Sequence, residues 1–190
     1  TYIQIKRKAI GLTQSQLGDM LGVTSKAVSK WETGVAIPDV ALFPELTKIL
    51  NITIEELLQE ADNCNIKVFL GNGFYGDWTK ANQNITSKEV INRSFRAMEE
   101  LATLYAHHKS FYGWYFPDET CIILRYSKDF INYVNLCSAR SQMLTPEKKT
   151  LIAPYGTNLV MANNKFIRQL TELDVDFIAY QDEVGVRKTK

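Results

Sequence analysis

The stretch TQSQLGDMLGVTSKAVSKWETG, residues 13–34, decides how the first third of the chain reads. Thr13 suits the cap of a helix running to Leu21, because a threonine hydroxyl accepts from the orphaned amides of a first turn. Leu17, Met20 and Leu21 recur at helical spacing and predict its buried stripe. Gly22 is expected to end that helix, since glycine takes the left-handed cap position at little cost. Thr24 then caps a second helix running to about Glu32, and Gly34 closes it. Two helices joined by so short a glycine-containing turn cannot lie antiparallel, and a helix-turn-helix is the common solution.

The second helix is two-faced. At 100° per residue Lys26, Ser29 and Lys30 gather on one side, with Ala27, Val28 and Trp31 on the other. The apolar side can pack on the first helix and on Leu42, Phe43, Leu46 and Ile49 of a later one. Two ammonium groups and a hydroxyl remain, which suit phosphates and base-edge acceptors. Asp39 is expected to cap the later helix, which runs through Leu50 with Pro44 in or near its first turn. Thr53 and Glu56 form a capping box that opens a last helix over Ile54–Asn63.

Bulk charge gives no reason to expect nucleic acid, since the net charge is +1. The distribution is more useful. Residues 1–30 hold Lys6, Arg7, Lys8, Lys26 and Lys30 against Asp19, whereas residues 31–58 hold Lys48 against Glu32, Asp39, Glu45, Glu55 and Glu56. Such polarity can orient a small domain on a polyanion.

The segments GLTQSQL (11–17), LGVT (21–24), VSKWETG (28–34) and Pro38-Asp39 resemble the Cro/C1-type helix-turn-helix family. The likeness continues through Ile54–Leu58 and covers about a third of the chain. It implies a five-helix domain over residues 1–58 that binds double-stranded DNA, regulates transcription and commonly acts as a homodimer. It places Gln14 against a phosphate with Thr24 nearby, and puts Ser25, Lys26, Ser29 and Lys30 on positions facing the groove. Gly18 stands where the family usually has alanine, and on propensity alone it loosens its helix by roughly 0.5–1 kcal/mol. A helical packing or protein-interaction module is the competing reading of this segment.

From residue 66 the pattern changes. Short apolar runs at Lys67–Leu70, Phe111–Phe116, Leu151–Tyr155 and Val175–Tyr180 alternate with helical stretches at 87–107, 128–143 and 164–173. Strand–helix repetition predicts parallel strands joined by crossovers. Four such strands amount to half of a (β/α)8 barrel, in which chemistry sits at the C-terminal strand ends. The chain is therefore expected to be multidomain, with an all-α domain at 1–58 and an α/β partial (β/α) barrel at 59–190.

The strand ends are polar and aromatic: GNGFYGDW (71–78), GWYFPDE (113–119), APYG (153–156) and YQDEVG (180–185). Aromatic rings stack on sugar C–H faces and paired acids flank a glycosidic bond. These segments resemble an uncharacterised glycoside-hydrolase-like barrel family of the DUF4434 type. The resemblance makes Glu119 and either Asp182 or Glu183 the acid and the base or nucleophile. It makes Trp78, Trp114, Tyr115, Tyr155 and Gln181 substrate-binding residues. Other readings stay open: Asp118 or Glu119 also suits a helix cap, Asp182 and Glu183 suit a solvated loop, and Trp114 suits barrel filling. His107 and His108 read as favourable charges at a helix C-terminus rather than as metal ligands.

A full barrel needs about 250 residues, so half of one is expected to hydrolyse sugars poorly or not at all. The alternative to a DNA-binding regulator is a glycosidase-like enzyme or sugar-binding domain lacking its other half. The chain begins at Thr1 rather than methionine, which suggests a fragment, a processed product or a trimmed piece. Three widely spaced cysteines suit reduced thiols in a cytoplasmic protein, with no membrane span, cofactor or metal expected.

Overall fold

The first unit is made of α1 (Tyr2–Ala9), α2 (Gln14–Leu21), α3 (Ser25–Glu32), α4 (Phe43–Ile49) and α5 (Ile54–Asn63), and polar caps open α2, α3 and α5. The computed structural model describes residues 1–36, 38, 42–73, 75, 76, 84–116 and 121–181. The chain divides into two units, Thr1–Glu60 and Ala61–Lys190, and α5 runs across the division.

Thr13 caps α2 by accepting from the Gln16 amide while the Gln16 side chain accepts from the Thr13 amide, a reciprocal box. Gly22 ends α2 in the left-handed region at φ 68°. Thr24 caps α3 through the Ala27 amide, and Thr53 and Glu56 close their own box at the start of α5. Leu17, Leu21, Val28, Trp31, Leu46 and Leu50 form the core of this unit. Complete burial of such a side chain contributes about 1.5–3 kcal/mol.

Three expectations need correction. Met20 is 55% exposed, so the buried stripe of α2 is Leu17 and Leu21 alone. The helix α4 starts at Phe43 with Leu42 as its N-cap and Pro44 in its first turn; Asp39 lies outside the described residues. Gly18 is required by packing rather than tolerated at a loss. A Cβ there would sit 2.7 Å from the Val23 carbonyl oxygen and 3.2 Å from the Thr24 carbonyl carbon, so the turn could not approach α2 so closely.

The second unit alternates β1 (Val68–Gly71), α6 (Lys88–Tyr105), β2 (Phe111–Phe116), α7 (Lys128–Leu144), β3 (Lys149–Ile152), α8 (Asn164–Glu172) and β4 (Phe177–Ile178). The strands form one parallel sheet in the order β1-β2-β3-β4. In a flat sheet the outer strands would lie about 14 Å apart, three strand spacings. Yet the rings of Phe69 on β1 and Phe177 on β4 have centroids 6.0 Å apart. The sheet is therefore curled, and its inner side chains converge as they do in a partial (β/α) barrel.

The ladder slips between Val68 and Phe69, whose partners are Phe111 and Gly113, leaving Tyr112 as an extra residue in β2. Such a bulge re-aims the side chains on either side of it. Phe111 and Trp114, three residues apart, are both fully buried and meet edge to face at 4.9 Å. They join Met98, Phe116, Tyr133, Val134 and Ile152 in the core beneath the helices. Gly113 is the residue over which the Phe69 ring lies; a Cβ there would fall 2.6 Å from that ring and 2.4 Å from the Lys149 carbonyl oxygen.

Two carboxylates fasten the ends. Asp176 accepts from the Thr150 amide at 2.9 Å, from Lys149 Nζ at 2.8 Å and from the Thr150 hydroxyl, while its own amide donates back to that hydroxyl. The bonds tie the start of β4 to β3. Asp62 accepts from the Ser110 amide at 2.5 Å and lies 2.7 Å from His108 Nδ1. Desolvation opposes its ionisation, but the His108 and Ser110 hydrogen bonds outweigh that and hold its carboxyl at about 2. His108 is a buried ring on Asp62, 2% exposed, three residues beyond the end of α6.

Candidate functional site

The helix α3 presents one side to the core and one to solvent. Val28 is fully buried and Trp31 nearly so, whereas Thr24, Ser25, Lys26 and Lys30 are exposed and Ser29 is half-buried. Among the described residues neither Lys26 nor Lys30 has a carboxylate partner. The Ser25 and Ser29 hydroxyls and the two ammonium groups thus sit on adjoining turns of α3, a chemistry suited to phosphate oxygens and base edges.

Behind that face lies an ion pair that the sequence reading passed over. Arg7 of α1 donates from Nε to Glu32 Oε1 at 2.6 Å and from Nη2 to Glu32 Oε2 at 2.9 Å. Its Nη1 donates to the Leu12 carbonyl at 2.5 Å. Both side chains are almost completely buried, at 8% and 1% exposure. The Arg7 hydrogen bonds hold the Glu32 carboxyl below the usual carboxylate range against the desolvation that opposes them. Gln14, expected at a phosphate, donates from Nε2 to Glu32 Oε2 at 2.8 Å and so belongs to the same network. Lys6 pairs with Glu56. Two of the five cations behind the expected charge polarity are therefore neutralised within the unit, leaving Lys8, Lys26 and Lys30 exposed.

At the barrel end, the proposed acids Glu119, Asp182 and Glu183 and the proposed platform Trp78 lie outside the described residues. Trp114 is fully buried, with its indole N–H donating to Thr145 Oγ1 at 2.9 Å, and so offers no ring face to a ligand. The bulge that turns Trp114 toward the helices could not be read from strand alternation. Tyr115, its neighbour, is half-buried and pairs in register with Gly71 and Leu151. Tyr155 is also half-buried and accepts from the Ile122 amide through its carbonyl. Gln181 donates from Nε2 to the Ala153 carbonyl and from its amide to the Pro154 carbonyl, which pins it to the end of β3. Asn72 follows β1, completely buried, with Nδ2 on the sulfurs of Met98 and Cys137 and Oδ1 without a partner among the described residues.

These features define a helix-turn-helix unit joined to a partial (β/α) barrel. Residues 34–190 match the family described as "Domain of unknown function (DUF4434)", and the chain belongs to that family. Residues 3–57 match the helix-turn-helix family, so the two matches overlap at 34–57. The HTH-type transcriptional activator BcrR of Enterococcus faecalis is 39% identical over 56 residues, covering 30% of this chain and 28% of that protein. The chain thus spans less than a third of that relative's length. No solved structure matches. No described helix is long and apolar enough to cross a membrane.

Proposed function

We propose that this chain binds double-stranded DNA in the cytoplasm through α3 and regulates transcription, with residues 1–58 acting as the binding domain. The observation that carries the reading is the two-sidedness of α3: Val28 and Trp31 locked in the core, Lys26 and Lys30 exposed and unpaired among the described residues. The helix-turn-helix match over residues 3–57 and the likeness to a transcriptional activator support it. A homodimer would set two such helices on two half-sites of one duplex.

A gel-shift salt series on the full chain tests this. Affinity should fall as salt rises, and Lys26→Ala/Lys30→Ala should flatten the log–log slope by about two, one per lost phosphate contact. Binding that ignores salt, or a double variant that binds unchanged, would defeat the proposal.

A second reading assigns the barrel unit to carbohydrate. Its support is the gathering of Tyr115, Tyr155 and Gln181 around the C-terminal ends of β2 and β3, where such barrels place their sites. Glu119 then serves as acid opposite Asp182 or Glu183, with Trp78 stacking on the sugar. Turnover of aryl glycosides by this half barrel should be slow at best, and where the enzyme reading holds it should drop about a hundredfold or more in Glu119→Gln. Activity that survives the substitution removes Glu119 as the acid.

A further inference from the structure

The two loops that follow β2 and β3 are zipped into one platform. The Ile122 amide donates to the Tyr155 carbonyl at 2.8 Å, the Leu124 amide to the Leu159 carbonyl at 3.1 Å and the Met161 amide to the Leu124 carbonyl at 2.9 Å. Both loops run directly into helices, α7 capped by Ser127 and α8 capped by Asn163. Tyr126 locks the junction. Its ring stacks against Phe130 of α7 and Phe166 of α8, with centroids 5.5 and 5.7 Å away. The Gln169 side chain clasps its backbone from both sides, accepting from the Tyr126 amide at 3.0 Å and donating to its carbonyl at 2.8 Å.

Around this junction lie two adjoining hollows of about 470 and 390 Å³, sharing Arg125 and Lys165 as walls. Lys128 and Arg168 also line the smaller one, where Glu172 is the only carboxylate among its described walls. Four cations therefore face one anion, and among the described residues none of the four cations has an ion-pair partner. In a solvated helix surface, opposite charges usually interleave at helical spacing. Here Arg125 and Lys128, at the end of one βα loop and the start of α7, meet Lys165 and Arg168 of α8, about forty positions on, and only Glu172 of the described walls opposes them. The first turns of two helices, each closed by a side-chain cap, add the partial positive end of a helix dipole.

We propose that this hollow is a binding site for a small molecule carrying phosphoryl groups. Two guanidinium forks can each grip a phosphate through paired hydrogen bonds, and the two ammonium groups supply the remaining charge. The excess of three positive charges suits a diphosphate, and the volume leaves room for the organic part of an ester. The site stands apart from the DNA reading of α3, since it shares no residue with it.

The test is calorimetric titration of the full chain with inorganic pyrophosphate at low salt, with orthophosphate as the lower-charge comparison. Saturable binding is expected, tighter for pyrophosphate. Arg125→Gln/Lys165→Gln should weaken it about tenfold or more, while Lys26→Gln/Lys30→Gln should change it less than about twofold. All four residues are exposed, so unaltered circular dichroism and melting should accompany both variants. No saturable heat, equal loss in both double variants, or loss confined to the α3 variant would overturn the site. If duplex DNA displaces pyrophosphate and the Arg125/Lys165 variant weakens DNA binding, the hollow is a nucleic-acid contact and the small-molecule proposal fails.

Discussion

Glu32→Gln is expected to cost the helical unit about 3–5 kcal/mol, enough to unfold a domain of ordinary stability. The reason lies in what remains. Arg7 stays positive at any usable pH, and hydrogen bonding to Glu32 raises its affinity for the proton further. With glutamine at position 32, the buried guanidinium keeps the Leu12 carbonyl and one amide oxygen, but it loses the negative charge that balances it and meets an NH2 donor where the second carboxylate oxygen stood. Arg7 and Gln14, which both donate to the carboxylate, are left to compete for that single oxygen. Replacing both members, as in Arg7→Met/Glu32→Leu, removes the charge together with its counter-charge and should recover most of the loss, since apolar substitutes avoid the desolvation penalty. Hydrogen exchange of the α1–α3 amides in the full chain measures each variant. Single variants that cost less than about 1 kcal/mol would show that the pair does not hold these helices together.

The same pair gives the unit an acid limit. The folded Glu32 carboxyl titrates below its unfolded value, so its contribution is complete above the unfolded pKa and disappears as pH falls through the folded one. Wild-type stability should therefore decline on acidification below about pH 4.5. The decline should be shallower in the double apolar variant, which lacks this titration.

What could be read from the sequence was local, and what could not was brought together by the fold. Thr13, Gly22, Thr24 and the Thr53–Glu56 box act on amides within a few residues of themselves, so their roles follow from spacing. The strand β2 also fell where its aromatic run predicted, at Phe111–Phe116. The run Leu151–Tyr155 misled, because β3 pairs over Lys149–Ile152 and the apolar residues beyond it continue into the loop. Gly18 misled for the opposite reason. Propensity sees a weak helix residue, whereas the constraint is a carbonyl five residues on, at a turn whose closeness only the fold reveals. Arg7 and Glu32 are 25 positions apart, and the second-unit hollow joins Arg125 and Lys128 to Lys165 and Arg168, about forty positions on. Neither set has a spacing that a linear pattern could expose.

Trp114 shows how one extra residue can reverse a functional assignment, and it carries the largest effect expected in the second unit. Strict alternation along β2 would put Trp114 and Tyr112 on one side, but the bulge at Tyr112 sends Phe111 and Trp114 to the helix side together. Trp114→Ala should then open a cavity bounded by Phe111 and its core neighbours and cost about 3–5 kcal/mol. It would also strip Thr145 Oγ1 of its indole donor at the end of α7, although that hydroxyl keeps its own bond to the Ser141 carbonyl. Trp114→Phe separates the two contributions. It retains most of the volume and loses the N–H, so its cost should be nearer 1–2 kcal/mol. Hydrogen exchange of the β2 and β3 amides is the measure, because global melting of two units would mix their transitions. A sugar platform would behave in the reverse way. Truncating an exposed ring would leave exchange unchanged and weaken only ligand binding. If the alanine variant keeps wild-type protection across β2 and β3, Trp114 is not the core residue that its complete burial and Thr145 bond make it.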